Sequence, residues 1–115
     1  MKRTVLVISN DYRSSVSYTA GLSGYGCEVY DTRTLETARA LLRTQPHLDY
    51  IVIDIKFSAE ETRNFLWAVR GEMGYVKTPM IFIGSTDREA GEAAAAWATF
   101  LPRPADVLAV LNAMH

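Results

Sequence analysis

The chain has 115 residues, of which 49% are hydrophobic, and its 13 acidic and 12 basic residues give a formal net charge of −1. This length and apolar content fit one domain with a real core, which we expect to span residues 1–115. Because the net charge is near zero, we do not expect electrostatic binding to nucleic acid or to an acidic membrane surface, and we predict neither as a partner.

Few residues in the chain could hold a metal ion. Cys27 is the single cysteine, which excludes an internal disulfide and a cysteine-rich site, and we expect it to be a small buried residue. The two histidines, His47 and His115, show no ligand spacing. We therefore predict no metal and no cofactor. The apolar stretch that begins the chain ends by Ser9, too early for a signal peptide, so we expect a cytoplasmic protein.

The first part of the chain predicts two strand–helix units. Residues 4–8 form a β-rich apolar run. Asn10 or Asp11 can cap a helix over residues 12–22, because their side chains accept from the free N–H groups of a first turn. Residues 27–32 alternate as a second strand does. Apolar residues at helical spacing then predict the second helix: Leu35, Ala38, Leu41 and Leu42.

The third strand is expected over residues 48–54 and carries the most informative run in the chain. Its continuous apolar residues, ending at Asp54, predict a buried central strand of a parallel sheet with a carboxylate at its C-terminal tip. Ser58 followed by Glu61 is a capping-box signature for the next helix. That helix has an apolar face at helical spacing: Phe65, Leu66, Val69 and Met73.

The last part predicts two further units. Residues 80–83 are the fourth strand, and Thr86 with Glu89 is a second capping box that opens an alanine-rich helix. Residues 100–101 make a very short fifth strand, and Pro104 suits the first turn of the last helix. The expected core face of that helix is Val107, Leu108, Leu111 and Met114.

Five strand–helix repeats favour an α/β fold with helices on both faces of a parallel sheet. For five strands we predict the flavodoxin-like order 2-1-3-4-5, which brings the tips of strands 1 and 3 together where such sheets bind ligands. The residues expected at this rim are Ser9, Asn10 and Asp54, with Gly84, Ser85 and Arg103 beside them.

These motifs, in this order, resemble the receiver domain of two-component response regulators over essentially the whole chain. The matching pieces are Asp54, residues 24–29 before the second strand, Pro79 before the fourth strand, and residues 100–104, which stand where the family has aromatic-x-x-Lys-Pro. The resemblance implies a role in signal transduction or phosphorelay, with a histidine kinase or a downstream signalling protein as partner.

The chain departs from the family at four of five pocket positions. In the family the strand-3 aspartate accepts a phosphoryl group, two acidic residues hold magnesium, a hydroxyl residue ends strand 4 and a lysine ends strand 5. Only Asp54 is retained, because the other positions fall on Ser9, Asn10, Gly84 and Arg103. Magnesium prefers anionic oxygens, and without it the charge of a transferring phosphoryl group is not neutralised.

Some neighbours could partly restore the pocket, and two others could replace the ion. Asp11 lies one residue further on and is expected to face the helix cap, while Ser85 or Thr86 could supply the hydroxyl only if their loop were shifted. Arg103 or Lys56 could instead keep Asp54 charged and partnered, as a buried carboxylate requires. The matching Lys-Pro bond of the family is usually cis, so we predict a cis bond after Arg103, with its guanidinium turned to Asp54.

The sequence therefore predicts a pseudo-receiver that acts by protein contact and is not an enzyme. Two alternatives stay open: an atypical receiver with Asp54 as phosphoacceptor, and a receiver-like accessory domain such as the wing of the basic amino-acid decarboxylases. Asp54 could also have no signalling role and be an ordinary acidic residue that is paired with a cation at the tip of a strand.

The resemblance also implies docking, or a homodimer, through helix 4, strand 5 and helix 5. This region carries Ala94, Ala95, Trp97 and Phe100, and aromatic residues are enriched as interface anchors. The alternative is that the alanines are merely good helix formers and that Trp97 packs inward. The other surface that we consider is the helix 1 face around Tyr12 and Tyr18.

Overall fold

The computed structural model describes residues 2–44, 47–54, 59–71 and 74–114. Strands and helices alternate through these ranges, as the sequence predicted. The strands are β1 (Thr4–Ser9), β2 (Glu28–Thr32), β3 (Tyr50–Asp54), β4 (Met80–Gly84) and β5 (Thr99–Pro102). The helices are α1 (Tyr12–Gly24), α2 (Leu35–Thr44), α3 (Ala59–Arg70), α4 (Asp87–Ala95) and α5 (Val107–Ala113).

All neighbouring strands are parallel, in the order β2-β1-β3-β4-β5, which confirms the predicted flavodoxin-like fold. The register pairs Ser9 with Asp54 across β1 and β3, and Gly84 with Pro102 across β4 and β5. The carboxyl ends of these four strands therefore form one rim.

The apolar run of β3 is continuous because the strand is covered on both faces. Ile51 and Ile53 pack in a cluster with α2, α3 and α4, whereas Val52 packs with α1 and α5 on the other face. This two-sided burial is the reason that a central parallel strand lacks polar alternation. None of the described helices is long and apolar enough to cross a membrane.

Side-chain caps fix the starts of four of the described helices, including α2, where the Thr34 hydroxyl accepts from the backbone N–H of Thr37 at 3.0 Å. Asp11 caps α1 by accepting from the backbone N–H of Ser14 at 3.2 Å. The capping box of Thr86 and Glu89 on α4 is present as predicted, and Asp106 caps α5. The predicted box of Ser58 with Glu61 lies outside the described residues.

The start and the core face of α5 differ from the prediction. Because Asp106 is the cap, the helix begins at Val107, and Pro104 lies ahead of it rather than in its first turn. Leu108 is 56% exposed, and Val110 is fully buried in its place.

Cys27 also differs from the prediction, since it precedes β2 and is only half-buried. Met73 and His115 lie outside the described residues.

Arg70, at the end of α3, is a buried guanidinium that ties three segments together through backbone carbonyls. Burial lowers its pKa, and no carboxylate pairs with it in the described part of the chain. Its nitrogens donate to the carbonyl oxygens of Tyr75, Val76, Thr78, Ala96 and Trp97. The loop before β4 and the loop before β5 are thereby fixed to α3.

We expect Arg70→Leu to lower the free energy of unfolding by about 2–4 kcal/mol, because several carbonyls lose their donor inside the protein. Arg63→Leu is the matched control, since Arg63 is exposed on the same helix and its loss should change stability by about 0.5 kcal/mol or less. Urea denaturation of both variants measures the difference. Equal effects at the two positions would contradict a role for the carbonyl contacts.

Candidate functional site

The site is built around Asp54 at the C-terminal tip of β3, where only 2% of the residue is exposed. Its register partner Ser9 is fully buried, and the Ser9 hydroxyl donates to Asp54 Oδ2 at 3.5 Å. A hydroxyl can hydrogen-bond a carboxylate but does not neutralise its charge. The carboxylate therefore needs a cation nearby.

Arg103 supplies that cation from the end of β5. Its Nη1 forms an ion pair with Asp54 Oδ1, and the bond between Arg103 and Pro104 is cis, as predicted. Among the described residues no donor makes an aligned hydrogen bond to Oδ1, so the contact is one between charges. The guanidinium also donates from Nη2 to the carbonyl of Ile83 at 3.3 Å. Lys56, the other predicted cation, lies outside the described residues.

The two positions after Ser9 lie at the surface of the protein. Asn10 and Asp11 are exposed, and the Asp11 carboxylate accepts from the backbone and hydroxyl of Ser14, the latter at 2.6 Å. Its role as a helix cap is therefore the predicted one. Within the described ranges no group of three or more histidine, cysteine, aspartate or glutamate residues could hold a metal ion.

Gly84 leaves no room for a side chain at the tip of β4. A Cβ built there would lie 2.9 Å from the ring of Phe100, 3.0 Å from the ring of Phe82 and 3.2 Å from Glu89 Cβ. The two rings stack with their centroids 6.3 Å apart. A hydroxyl-bearing side chain at Gly84 would require these neighbours to move.

The loop that follows Gly84 is held by Glu89. Its Oε1 accepts from the backbone N–H groups of Ser85 and Thr86, at 3.0 and 3.1 Å, and from the Thr86 hydroxyl. Burial raises the pKa of Glu89, but these hydrogen bonds and the charge of Arg103 outweigh it, and the net pKa is lowered. Ser85 and Thr86 are exposed and fixed to the helix cap, not to Asp54.

Two buried hydroxyls of α1 make contacts that the sequence did not predict, and the burial of Tyr18 shows that it is not part of an exposed helix 1 face. Tyr18 donates to the carbonyl of Ala105 at 2.7 Å and so holds the segment that follows Arg103. Burial, and then the charge of Asp54, raise the pKa of Tyr18 to about 12, so its hydroxyl keeps its proton. Ser15 is fully buried and donates to the carboxylate of Asp31. Neither contact has a local signal, because each joins residues far apart in the sequence.

The residues predicted to form an interaction surface separate into two environments. Ala94 and Ala95 are exposed, and so is Trp97, which shows that the inward-packing alternative for Trp97 is wrong. Phe100 is half-buried and belongs to the core beside Phe82.

Comparison with solved structures gives the fold a name. The chemotaxis response regulator CheY4 of Vibrio cholerae is 21% identical, with a TM-score of 0.83 over 97% of this chain and 95% of that one. A CheY-like receiver domain from Methylobacillus flagellatus is 13% identical, with a TM-score of 0.82 over 100% of both chains. The fold is that of a response regulator receiver domain.

A third structure with the receiver fold was captured in a phosphorylated state. It is a response regulator of Burkholderia pseudomallei described with a phosphorylated aspartic acid and a calcium ion, 17% identical, with a TM-score of 0.85 over 99% of this chain and 67% of that one. No protein-family model and no curated protein matches the sequence. Function must therefore be argued from the site.

The pairing of Asp54 with Arg103 predicts unequal effects of removing either partner. Arg103→Met should lower the free energy of unfolding by about 3–5 kcal/mol, because it leaves a buried carboxylate unpaired. Asp54→Asn should cost about 1–3 kcal/mol, because the Arg103 side chain is 23% exposed and can turn to water. The double variant should cost at least about 1 kcal/mol less than the two single changes together. Additive effects in urea denaturation would refute the coupling.

The crowding at Gly84 can be tested with a second glycine as its control. Gly84→Ala should lower the free energy of unfolding by about 1–3 kcal/mol, because the new methyl group meets two aromatic rings. Gly91→Ala should raise it by about 0.5–1 kcal/mol, since Gly91 lies in α4 with nothing within 4 Å of its Cβ position. Thermal or urea denaturation of the two variants measures whether each substitution stabilises or destabilises the protein. A neutral Gly84→Ala would show that Phe82 and Phe100 yield easily.

Proposed function

We propose that this chain is a signal-transduction module of the pseudo-receiver type, which acts by binding other proteins and without magnesium-dependent phosphorylation of Asp54. The observation that carries this proposal is the ion pair between Asp54 and Arg103. Arg103 contacts Oδ1 and Ser9 contacts Oδ2, so both oxygens of the carboxylate already have a partner in the chain.

The first support is electrostatic. Phosphoryl transfer to a carboxylate brings two negative groups together, and a divalent ion normally offsets their repulsion. Here the donor set next to Asp54 is the neutral hydroxyl of Ser9, while the Asp11 carboxylate is used as a helix cap. One carboxylate that is already paired with arginine is a poor ligand for magnesium, which needs several hard oxygens in an octahedron.

The second support is steric. A receiver that responds to phosphorylation needs a group that senses the new phosphoryl oxygens. Gly84 has no side chain, and the stacked rings of Phe82 and Phe100 fill the space that one would need. Ser85 and Thr86 are held outward by Glu89. The described hydroxyl that lies next to Asp54 is that of Ser9, which is fully buried and already bonded to the carboxylate.

A phosphorylatable receiver is the second candidate function. It is favoured by the position of Asp54, alone at the tip of the central strand, in a fold that one solved relative shows with a phosphorylated aspartic acid. In this case Arg103 would have to swing aside and then neutralise the phosphoryl group in place of the metal. The ion pair makes this approach unfavourable, so we rank it second.

The receiver fold indicates protein partners. Receiver domains interact with histidine kinases and with other signalling proteins, and they are generally modules without enzymatic activity of their own. We extend both properties to this chain, and we place it in the cytoplasm with such partners.

The proposed loss of phosphorylation can be tested directly. Incubation with acetyl phosphate and millimolar magnesium should give no phosphoryl adduct by intact-protein mass spectrometry, because the carboxylate is blocked and no ion neutralises the incoming charge. A triple variant, Ser9→Asp, Asn10→Asp and Arg103→Lys, restores the acidic pair and the lysine. It should gain a saturable amide-shift response to magnesium at the Asp54 rim.

Asp54→Asn is the matched control for the acceptor. An adduct on the natural chain that disappears in Asp54→Asn would overturn the proposal in favour of the second candidate. A saturable magnesium response of the natural chain at this rim would do the same.

A further inference from the structure

A cleft of about 380 Å³ lies at the amino ends of β1 and β2. Its walls come from Arg3 just ahead of β1, from the turn at residues 25–27 and from the end of α5. Asp54 and Arg103 lie at the carboxyl ends of their strands, and the cleft shares no residue with that rim. Small-molecule sites typically have volumes of roughly 300–1,000 Å³, so the cleft is large enough for such a ligand.

The walls of the cleft are held in place by hydrogen bonds. The backbone N–H of Cys27 donates to the carbonyl of Leu22 at 3.1 Å and closes the turn after α1. At the end of α5, the carbonyl of Met114 accepts from the Tyr50 hydroxyl at 2.8 Å and from Nη1 of Arg3 at 3.0 Å. Because the fold already fixes both walls, a ligand would lose little free energy in ordering them.

Two apolar side chains that line the cleft are largely exposed to water. Tyr25 is 66% exposed and Leu108 is 56% exposed, whereas Leu111 is half-buried and Met114 fully buried in the same lining. An apolar ligand would take the exposed surface of Tyr25 and Leu108 out of water, which is favourable. The ring of Tyr25 favours an aromatic ligand, because aromatic pairs gain from offset or edge-to-face contact beyond the area that they bury.

Arg3 brings a positive charge to this lining and has donors that the fold does not use. Its guanidinium carbon lies 5.7 Å from the centroid of the Tyr50 ring, and Nη1 is bonded to Met114. Nε and Nη2 bond to no acceptor in the described part of the chain. These two nitrogens form an edge that can bind a carboxylate through two parallel hydrogen bonds.

Asp49 is an acidic residue whose charge reaches Arg3, but its carboxylate is already engaged. It accepts from the backbone N–H of Thr4 at 2.7 Å and contacts Nε2 of His47 at 2.9 Å. The bond from Thr4 is the main cause that lowers the pKa of Asp49, and the charge of Arg3 is the smallest. Within the described ranges Asp49 and Arg3 form no ion pair, so the guanidinium is left for a ligand.

We propose that this cleft binds a small aromatic carboxylate, whose ring packs against Tyr25 and Leu108 and whose carboxylate bonds to Arg3. A closed cavity of about 150 Å³ is enough to hold benzene, so the larger cleft has room for two fused rings and a carboxylate. The inference does not rest on the proposed function, because no residue of the Asp54 rim takes part in it.

The probe for this site is 2-naphthoate, which we would titrate into the natural chain at constant ionic strength. A ligand of about 13 non-hydrogen atoms with ordinary efficiency has a dissociation constant on the order of 1 mM. The amide signals of Cys27, Leu111 and Asn112 should therefore shift and saturate by about 10 mM. Acetate carries the same charged group without a ring, and it should give no saturable shift over this range.

The single cysteine provides a second measurement, because Cys27 lies in the lining of the cleft. Saturating 2-naphthoate should slow the modification of Cys27 by 4,4′-dithiodipyridine at least about threefold, since disulfide exchange depends on access to the thiol. An unchanged rate, with amide shifts elsewhere in the chain, would contradict the proposed location.

Two variants test the two halves of the site. Arg3→Met should raise the dissociation constant for 2-naphthoate at least about tenfold, because the charged hydrogen bonds are lost. Leu108→Glu should have an effect of similar size, because it replaces apolar surface by a negative charge. Its melting temperature should be nearly unchanged, since Leu108 is exposed.

Lys2→Met is the matched control, because it removes a positive charge next to Arg3 in the sequence from an exposed residue outside the lining. It should bind 2-naphthoate within about twofold of the natural chain. The proposal is overturned if the natural chain shows no saturable shift, if Arg3→Met or Leu108→Glu binds as the natural chain does, or if Lys2→Met weakens binding as much as Arg3→Met. Shifts confined to the Asp54 rim would also overturn it. A phosphoryl adduct on Asp54 would refute the proposed function and leave these results unaffected.

Discussion

A carboxylate buried at the tip of a central strand must have its charge balanced, and the arrangement of the rim follows from this constraint. Asp54 lies on β3 and its partner Arg103 comes from β5, so the ion pair spans the intervening strand β4. Arg103 also bonds to β4 twice, through its side chain to Ile83 and through its backbone to the carbonyl of Gly84 at 2.8 Å. Because Gly84 has no side chain, the stacked rings of Phe82 and Phe100 close over β4 beside this bridge.

In this arrangement the cation next to Asp54 is a side chain of the protein itself, and not a ligand that binds reversibly. A metal ion or a phosphoryl group can arrive and leave, and its coming and going can carry a signal. A guanidinium that belongs to the chain stays next to Asp54 unless another group offers it a better partner. Under the proposed function the pocket therefore holds one state, and specificity must lie in the surfaces that other proteins touch. The proposal also agrees with the ligand preference of magnesium, which favours several hard oxygens over a single, already paired carboxylate.

The sequence predicted the features that strand patterns or the family resemblance signal, and it missed contacts that neither signals, such as those of Tyr18 and Ser15. The apolar run that ends at Asp54 was enough to predict a central strand, and the resemblance to receivers was enough to predict the cis bond after Arg103. The core face of α5 was wrong at Leu108, because Pro104 was taken as the helix start in place of the Asp106 cap. In the alanine-rich stretch, residues all of one kind gave no periodicity from which the exposure of Trp97 could be deduced.

Two arginines stabilise opposite ends of the parallel strands, and they do so by different interactions. Arg103 balances a carboxylate, so its contribution depends on charge, whereas Arg70 meets only backbone carbonyls and acts through geometry. A guanidinium suits both tasks, since its five N–H groups point in fixed directions and it retains its charge when buried. By binding the carbonyls of Ala96 and Trp97, Arg70 stabilises the turn in which Trp97 has a positive φ. The buried contact thus offsets the strain of the exposed indole, and the folded chain can present that indole without losing the end of α4.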